Sequence, residues 1–263
     1  MRLGFIGAGN MAQAMIGGIL AKEIVKKEDI IASAATQNTL DKVAKEFGIN
    51  VTLDNREVAK ADIVFLAVKP FYYEEVIDEI KDVVDEKQLI ISVAAGKSVE
   101  WVENAFGGKK KIVRIMPNTP ALVGEAVTAI CPNANITDGE KQEIVELIAS
   151  FGLAQIVSEK IMDAVIAVSG SSPAYVFMFI EAMADAAVAE GMPRVQAYQF
   201  AAQSVLGSAK MVLETGKHPG ELKDMVCSPS GTTIEAVKVL EEKGFRSSII
   251  EAMSACADKS RNM

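Results

Sequence analysis

The stretch GFIGAGNMAQAM, Gly4 to Met15, decides the fold: it closes a short β-rich run, turns on glycines and opens a helix. Gly7, Gly9 and Ala12 form a GxGxxA pattern. Its first glycine permits a tight turn, its second lets the backbone approach a pyrophosphate, and its third small residue keeps the helix close to the sheet. Glycine turns are common, so the pattern needs its context. Here a strand precedes it, a helix follows and further βα units lie beyond. Gly7, Ala8, Gly9, Asn10 and Met11 are therefore expected to hold a dinucleotide.

Outward from that turn, β-rich runs alternate with helical patterns to about residue 157: RLGFI, IIAS, INVT, DIVFLAV, LIISVA, KIVRIM, AVTAIC and AQIV. Such alternation predicts a parallel sheet covered by helices on both faces. The clearest helix start is Thr137 to Glu140, TDGE, which fits a capping box. After Ser158 the strand signals stop, and the chain reads as helices broken at SGSSP, GMP, TGKHPG, SPSG and KGF. The expected architecture is α/β, with a Rossmann-type dinucleotide-binding domain over residues 1–157 and an all-helical domain over 158–263. Between Asp163 and Arg194 the only charges are Glu181, Asp185 and Glu190. That is too little polar surface for an ordinary solvent-facing helix, so it should be buried in a bundle or against another subunit.

Composition narrows the function. The apolar fraction is 50% but aromatics are only 6%, so the core must be aliphatic. A net charge of -8 argues against nucleic acid and anionic membranes as partners. The uncharged run Leu3 to Ala21 carries Gly4, Gly7, Gly9, Gly17, Gly18, Asn10 and Gln13, which suit a buried strand, turn and helix better than a membrane span or a signal peptide. The 3 cysteines are far apart, and the 1 histidine, His218, reads as a surface or capping residue. No metal site and no disulfide framework is expected, and a reducing cytoplasm is the simplest setting.

An NAD-selective site usually places Asp or Glu at the end of the second strand. That end reads ASAATQN, where Ser33, Thr36, Gln37 and Asn38 are neutral, although no arginine stands by to clamp a 2′-phosphate. The expectation is NADPH, with NADH possible. Three later loops, AVKP (Ala67 to Pro70), AAG (Ala94 to Gly96) and MPNTP (Met116 to Pro120), fall at strand ends where ligands bind in this architecture. Together they look like a pocket wall, with Asn118 a rigidly held amide between prolines.

A second site is suggested by CSPSGTTIEAV, Cys227 to Val237. Its hydroxyls can cap the following helix, but Ser230, Thr232 and Thr233 with Gly231 exceed what one cap requires. Free amides at a helix start also suit a small carboxylate.

Over essentially its whole length the chain resembles pyrroline-5-carboxylate reductases, through GFIGAGNMA, FLAVKP, MPNTP, VSGSSPAYVF and, most specifically, HPGELKDMVCSPSGTTIEAVKVLE. The resemblance implies NAD(P)H reduction of a cyclic imine to proline by a dinucleotide-binding domain followed by a helical dimerisation domain. It also implies that the substrate carboxylate lies at the start of the TTIEAV helix, with Ser228, Gly231, Thr232 and Thr233 binding substrate and Thr233 hydrogen-bonding the ring nitrogen. For the cofactor it implies Ser33 at the ribose phosphate, Asn55 at the adenosine end, and Val68, Lys69, Pro70 and Ala95 in the cleft. A homodimer, or a larger oligomer built from dimers, is implied, each substrate loop completing its partner's cofactor site.

Two residues depart from the family pattern: Ser172 and Ser230 stand where many members have glycine, so either is strained if its backbone needs positive φ. A β-hydroxyacid dehydrogenase would want a lysine proton donor on the first long helix of the second domain, and SGSSPAYVFMFIEAMADAAVAEG has none. Another imine reductase or a non-catalytic NADP-binding protein are the remaining alternatives.

Overall fold

A computed structural model describes residues 1–262 as two compact units, one of Met1–Ser171 with Cys256 onward, the other of Ser172–Ala255. The first unit runs β1 (Leu3–Ile6), α1 (Asn10–Ala21), β2 (Ile30–Ser33), α2 (Gln37–Phe47), β3 (Asn50–Thr52), α3 (Asn55–Val58), β4 (Ile63–Leu66), α4 (Tyr73–Ile80), β5 (Leu89–Ser92), α5 (Val99–Ala105), β6 (Lys111–Met116), β7 (Ala126–Pro132), α6 (Asp138–Ile148), β8 (Gly152–Ile156) and α7 (Met162–Val165). The strands form one sheet in the order β3-β2-β1-β4-β5-β6-β7-β8.

β1, β4 and β5 are buried at every position, as expected for apolar strands covered on both sides. On one face Leu3 and Phe5 pack with Met15, Ile16 and Ile19 of α1 and with Ile144 and Leu147 of α6. On the other, Ile6, Val64 and Leu66 pack with Tyr73, Ile77 and Ile80 of α4 and Val102 of α5. Local chemistry sets the helix ends. Thr36 caps α2, Gly48 ends it in the left-handed region, and Thr137 with Glu140 forms the expected capping box of α6.

One expectation needs correcting. The sheet is not wholly parallel, because β6 and β7 pair antiparallel, Arg114 opposite Cys131 and Met116 opposite Ala129. The connection over residues 117–125 contains only the tight turn Thr119–Val123. A parallel return needs a crossover of about a dozen residues or more.

The first unit also extends past residue 157. Met162 packs with Met116, Ala129 and Cys131. Glu159 pairs with Arg114 at 2.8 Å and accepts the Val99 amide at 2.9 Å through the same Oε1. Beyond α7 the chain makes a π-turn, Ile166–Gly170, in which the Ser171 amide bonds the Ile166 carbonyl at 2.8 Å.

The second unit holds α8 (Ser172–Ala189), α9 (Arg194–Thr215), α10 (Pro219–Val226), α11 (Thr232–Glu242) and most of α12 (Phe245–Arg261). Helices α8 and α9 meet through the buried Ala184, Ala197 and Ala201, where small side chains allow close approach. The His218 ring accepts the Gly220 amide at 3.0 Å and caps α10, as its position suggested. Within this unit much apolar surface stays open: Phe177 is 60% exposed, Met178 69%, Phe200 65% and Leu213 79%. The run Glu159–Ala189 is long and apolar enough to cross a membrane by length and composition alone.

Candidate active site

The glycine turn behaves as its pattern predicts. Gly7 has φ +97°, and a Cβ added there would stand 2.7 Å from the Ala67 carbonyl oxygen and 2.9 Å from Val68 Cγ1. Only glycine fits. Gly9 is different: it is the N-cap of α1 with φ -77°, and nothing lies within 4 Å of an added Cβ. No side chain caps α1 and no acidic residue sits in its first turn, so its amide dipoles point unopposed into open space. Ala12 is buried, holding α1 against the sheet. Gln13 braces the turn by donating to the Ala8 carbonyl at 2.8 Å, while Met11 is half-buried against the core.

Two cavities flank this turn. One, of about 640 Å³, is bordered by Ala8, Gly9, Asn10, Gln13, Thr39, Lys42, Lys45 and Glu46. Its lysines come from α2 and were missed in the sequence because they are far from the glycines along the chain. The other, of about 320 Å³, has an apolar wall of Leu53, Val68, Tyr72 and Val76. Asn55, Glu75 and Glu79 supply its polar groups, and Ala34 and Ala35 form its floor beside Gly7. Asn55 and Val68 both line this second cavity.

Ser33 does not. It has no exposed surface and donates its hydroxyl to Asn55 Oδ1 at 2.6 Å, so it faces a neighbouring side chain instead of the cleft. The reason is register: Ser33 is the last paired residue of β2, aligned with Ile6 of β1 and Thr52 of β3. Asn118 is held rigidly, as its place between prolines suggested. Only 7% exposed, it donates from Nδ2 to the Ser169 carbonyl and accepts the Val127 amide on Oδ1, both at 2.9 Å. Its amide ties the MPNTP loop to the π-turn and to β7, spending one N–H and one lone pair on the fold.

Lys69 is exposed, and Pro70 begins a tight turn to Tyr72. Ala95 is half-buried against the Met116 and Met162 cluster. A residue that periodicity could not single out joins these strand ends: Tyr73, fully buried, donates to the Leu66 carbonyl at 2.6 Å and accepts the Val93 amide and Ser92 hydroxyl at 3.2 Å. Burial, the largest influence, pushes its phenol up to about 12.

In the second unit, the approach to α11 is a tight turn. Pro229 follows Ser228, Ser230 has φ +59°, and the Gly231 amide returns to the Ser228 carbonyl at 3.0 Å. This is the pattern of a type II turn, whose third position favours glycine. Ser230 therefore occupies a strained backbone, whereas Ser172 is the first residue of α8 and has no positive φ. Gly231 packs tightly on the turn: an added Cβ would lie 2.4 Å from Ser228 Oγ, which would have to rotate away, and 3.1 Å from the Ser228 carbonyl oxygen. Gly231 is the N-cap, and no side chain caps α11, so the hydroxyls of Ser230, Thr232 and Thr233 are not its caps. Thr233 is half-buried, and Ser228 and Thr232 are exposed. Among the described residues no His, Cys, Asp and Glu cluster could hold a metal ion.

Comparison with known proteins agrees with both halves. Residues 159–263 match the family described as pyrroline-5-carboxylate reductase dimerisation, and residues 2–96 match NADP oxidoreductase coenzyme F420-dependent. The chain is 51% identical to the pyrroline-5-carboxylate reductase of Escherichia coli K12, over 100% of this chain and 98% of the relative. Among solved structures it resembles the pyrroline-5-carboxylate reductase of Coxiella burnetii, with TM-score 0.92 and 35% identity over 99% of this chain and 97% of that one. It also resembles the Plasmodium falciparum pyrroline carboxylate reductase with NADP bound, with TM-score 0.91 and 34% identity over 100% of this chain and 97% of that one.

Proposed function

The chain belongs to the pyrroline-5-carboxylate reductase family, and on that premise we propose how its residues divide the work of reducing the cyclic imine 1-pyrroline-5-carboxylate to L-proline, the last step of proline biosynthesis. NADP(H) is the cofactor, and bound NADPH supplies the hydride to the carbon of the C=N bond. The residues present fit that group: the open space over Gly9 and the uncapped start of α1 suit a pyrophosphate. The Asn55 cavity, which Val68 also lines, suits an adenosine, with Lys69, Pro70 and Ala95 at the strand ends towards the nicotinamide side.

The observation that carries the substrate assignment is the bare N-terminus of α11 behind its glycine turn. Its amides bind the substrate carboxylate, and Ser228 and Gly231 shape the turn that presents them. The Thr233 hydroxyl orients the imine nitrogen and supports the amine that develops there. A protonated imine is already electrophilic, so the side chains contribute mainly placement, which is consistent with the lack of an obvious acid in the sequence. The open apolar face of α8 and α9 belongs to a homo-oligomer interface, a dimer or a larger assembly of dimers, in which each substrate loop serves the partner's cofactor site. The cytoplasm is the compartment in which such an enzyme meets NADPH.

The test is consumption of NADPH on adding the imine, with Thr233→Val as the probe. Losing one hydrogen bond to the reacting nitrogen should lower kcat/KM for the imine by about 5- to 150-fold, on the order of 1 to 3 kcal/mol, and leave the cofactor Kd unchanged. An unaltered kcat/KM would remove Thr233 from the assignment.

A further inference from the structure

Asn55 sits between two partners of different kinds. Ser33, fully buried, donates to Asn55 Oδ1 at 2.6 Å, and Asn55 Nδ2 donates to Glu79 Oε2 at 2.7 Å. A hydroxyl accepts either end of a carboxamide, whereas an ionised carboxylate only accepts. Glu79 therefore decides which way round Asn55 stands. With Glu79 in place the amide nitrogen points to α4 and the amide oxygen to β2. One N–H and one lone pair remain for the cavity lined by Leu53, Val68 and Tyr72.

The carboxylate is itself held in place by its helix. Arg56, next to Asn55, donates to the Glu79 backbone carbonyl at 2.7 Å and grips both carboxylate oxygens of Asp82 at 3.1 Å. This fixes the end of α4 to the start of α3, and so fixes the distance between Glu79 and Asn55. The Asp82 carboxyl is held below its usual range, first by the Arg56 hydrogen bond, as expected for a formed pair.

We infer that Glu79 is a positioning residue for the adenosine half of the cofactor, setting through Asn55 the donor and acceptor pattern that this half meets. The inference rests on the reading of that cavity as the adenosine site.

The experiment compares Glu79→Ala, Glu79→Gln and Asn55→Ala by NADPH titration and steady-state kinetics. Glu79→Ala should raise the NADPH Kd and KM by about three- to tenfold, the range for one hydrogen bond, with kcat at saturating NADPH and KM for the imine unchanged. Glu79→Gln can donate as well as accept, so it no longer dictates which way the Asn55 amide stands and should show part of the same defect. The defect should also vanish with reduced nicotinamide mononucleotide, which has no adenosine half. If Asn55→Ala weakens NADPH binding but Glu79→Ala does not, the inference is wrong and the site assignment stands. If Asn55→Ala has no effect either, the cavity is not the adenosine site. A Glu79→Ala defect that persists with the mononucleotide, or that appears equally in the imine KM, would mark a general structural role and overturn the inference.

Discussion

Gly7 and Gly9 are two residues apart in one turn, yet a methyl group should act on them in opposite ways. In Gly7→Ala the new side chain is forced to φ +97° and brought within 2.7 Å of the Ala67 carbonyl oxygen. Left-handed strain of about 1 to 2 kcal/mol and overpacking of about 1 to 3 kcal/mol should combine to a loss of roughly 2 to 5 kcal/mol. In Gly9→Ala, φ is ordinary and the space is empty. A poorer N-cap, worth a few tenths to about 1 kcal/mol, is offset by a gain of about 0.4 to 1 kcal/mol from a less flexible unfolded chain. Folding should then change by less than about 0.5 kcal/mol, while the methyl group stands where the pyrophosphate approaches. Losing one hydrogen bond from the α1 amides to a charged phosphate oxygen, about 1.5 to 3 kcal/mol, is enough for a tenfold or greater loss of NADPH affinity. Urea unfolding at one fixed protein concentration, with NADPH fluorescence titration on the same samples, reads both quantities. Wild-type NADPH affinity in Gly9→Ala, or a stability loss equal to that of Gly7→Ala, would refute this division of roles.

Glu159→Ala strands the Arg114 guanidinium, whose side chain is 8% exposed, and should cost about 2 to 4 kcal/mol in urea unfolding. Arg114→Met removes the buried charge and should cost less, so the reverse order would contradict the pairing. Ser230→Gly should leave the imine KM unchanged while Ser230→Val, β-branched at positive φ, raises it several-fold. Equal KM values would mean the turn does not hold that φ. For Tyr73, raised from 10.0 to about 12, the unfolded chain loses its phenol proton before the folded one does. Stability should thus be intact below pH 10 and fall by up to about 3 kcal/mol as pH rises to about 12, at roughly 1.4 kcal/mol per unit. Tyr73→Phe should flatten that decline in a pH series of denaturation curves, and an unchanged slope would assign it elsewhere.

Much of the fold was legible because its signals are local. Each β-rich run became a strand, and each small-residue break in the second half became a helix end. The antiparallel step at β7 was implicit in the short connection 117–125, but alternation alone does not report direction. The π-turn at Ile166–Gly170 has no compositional signature. In the site, Gly7 and Gly9 were readable because backbone geometry restricts residue type. The hydrogen-bond partners of Ser33 at the end of β2 and of Asn118 in the MPNTP loop were not readable, since Asn55 and Ser169 are distant in the chain. Glu79 and Tyr73 were missed for the same reason.

The double engagement of Asn118 has a consequence for how freely this protein can vary. Its side chain must offer a donor to the Ser169 carbonyl and an acceptor to the Val127 amide at once. Aspartate keeps the acceptor and loses the donor, leucine keeps the shape and loses both, and glutamine has both but a longer reach. Serine, threonine and histidine carry both but set them at other distances from the backbone, so each replacement loses a buried partner or shifts the loop. A complete replacement library at this position, selected for growth without proline in a host lacking its own enzyme, should return asparagine almost alone, while exposed Lys69 tolerates many residues.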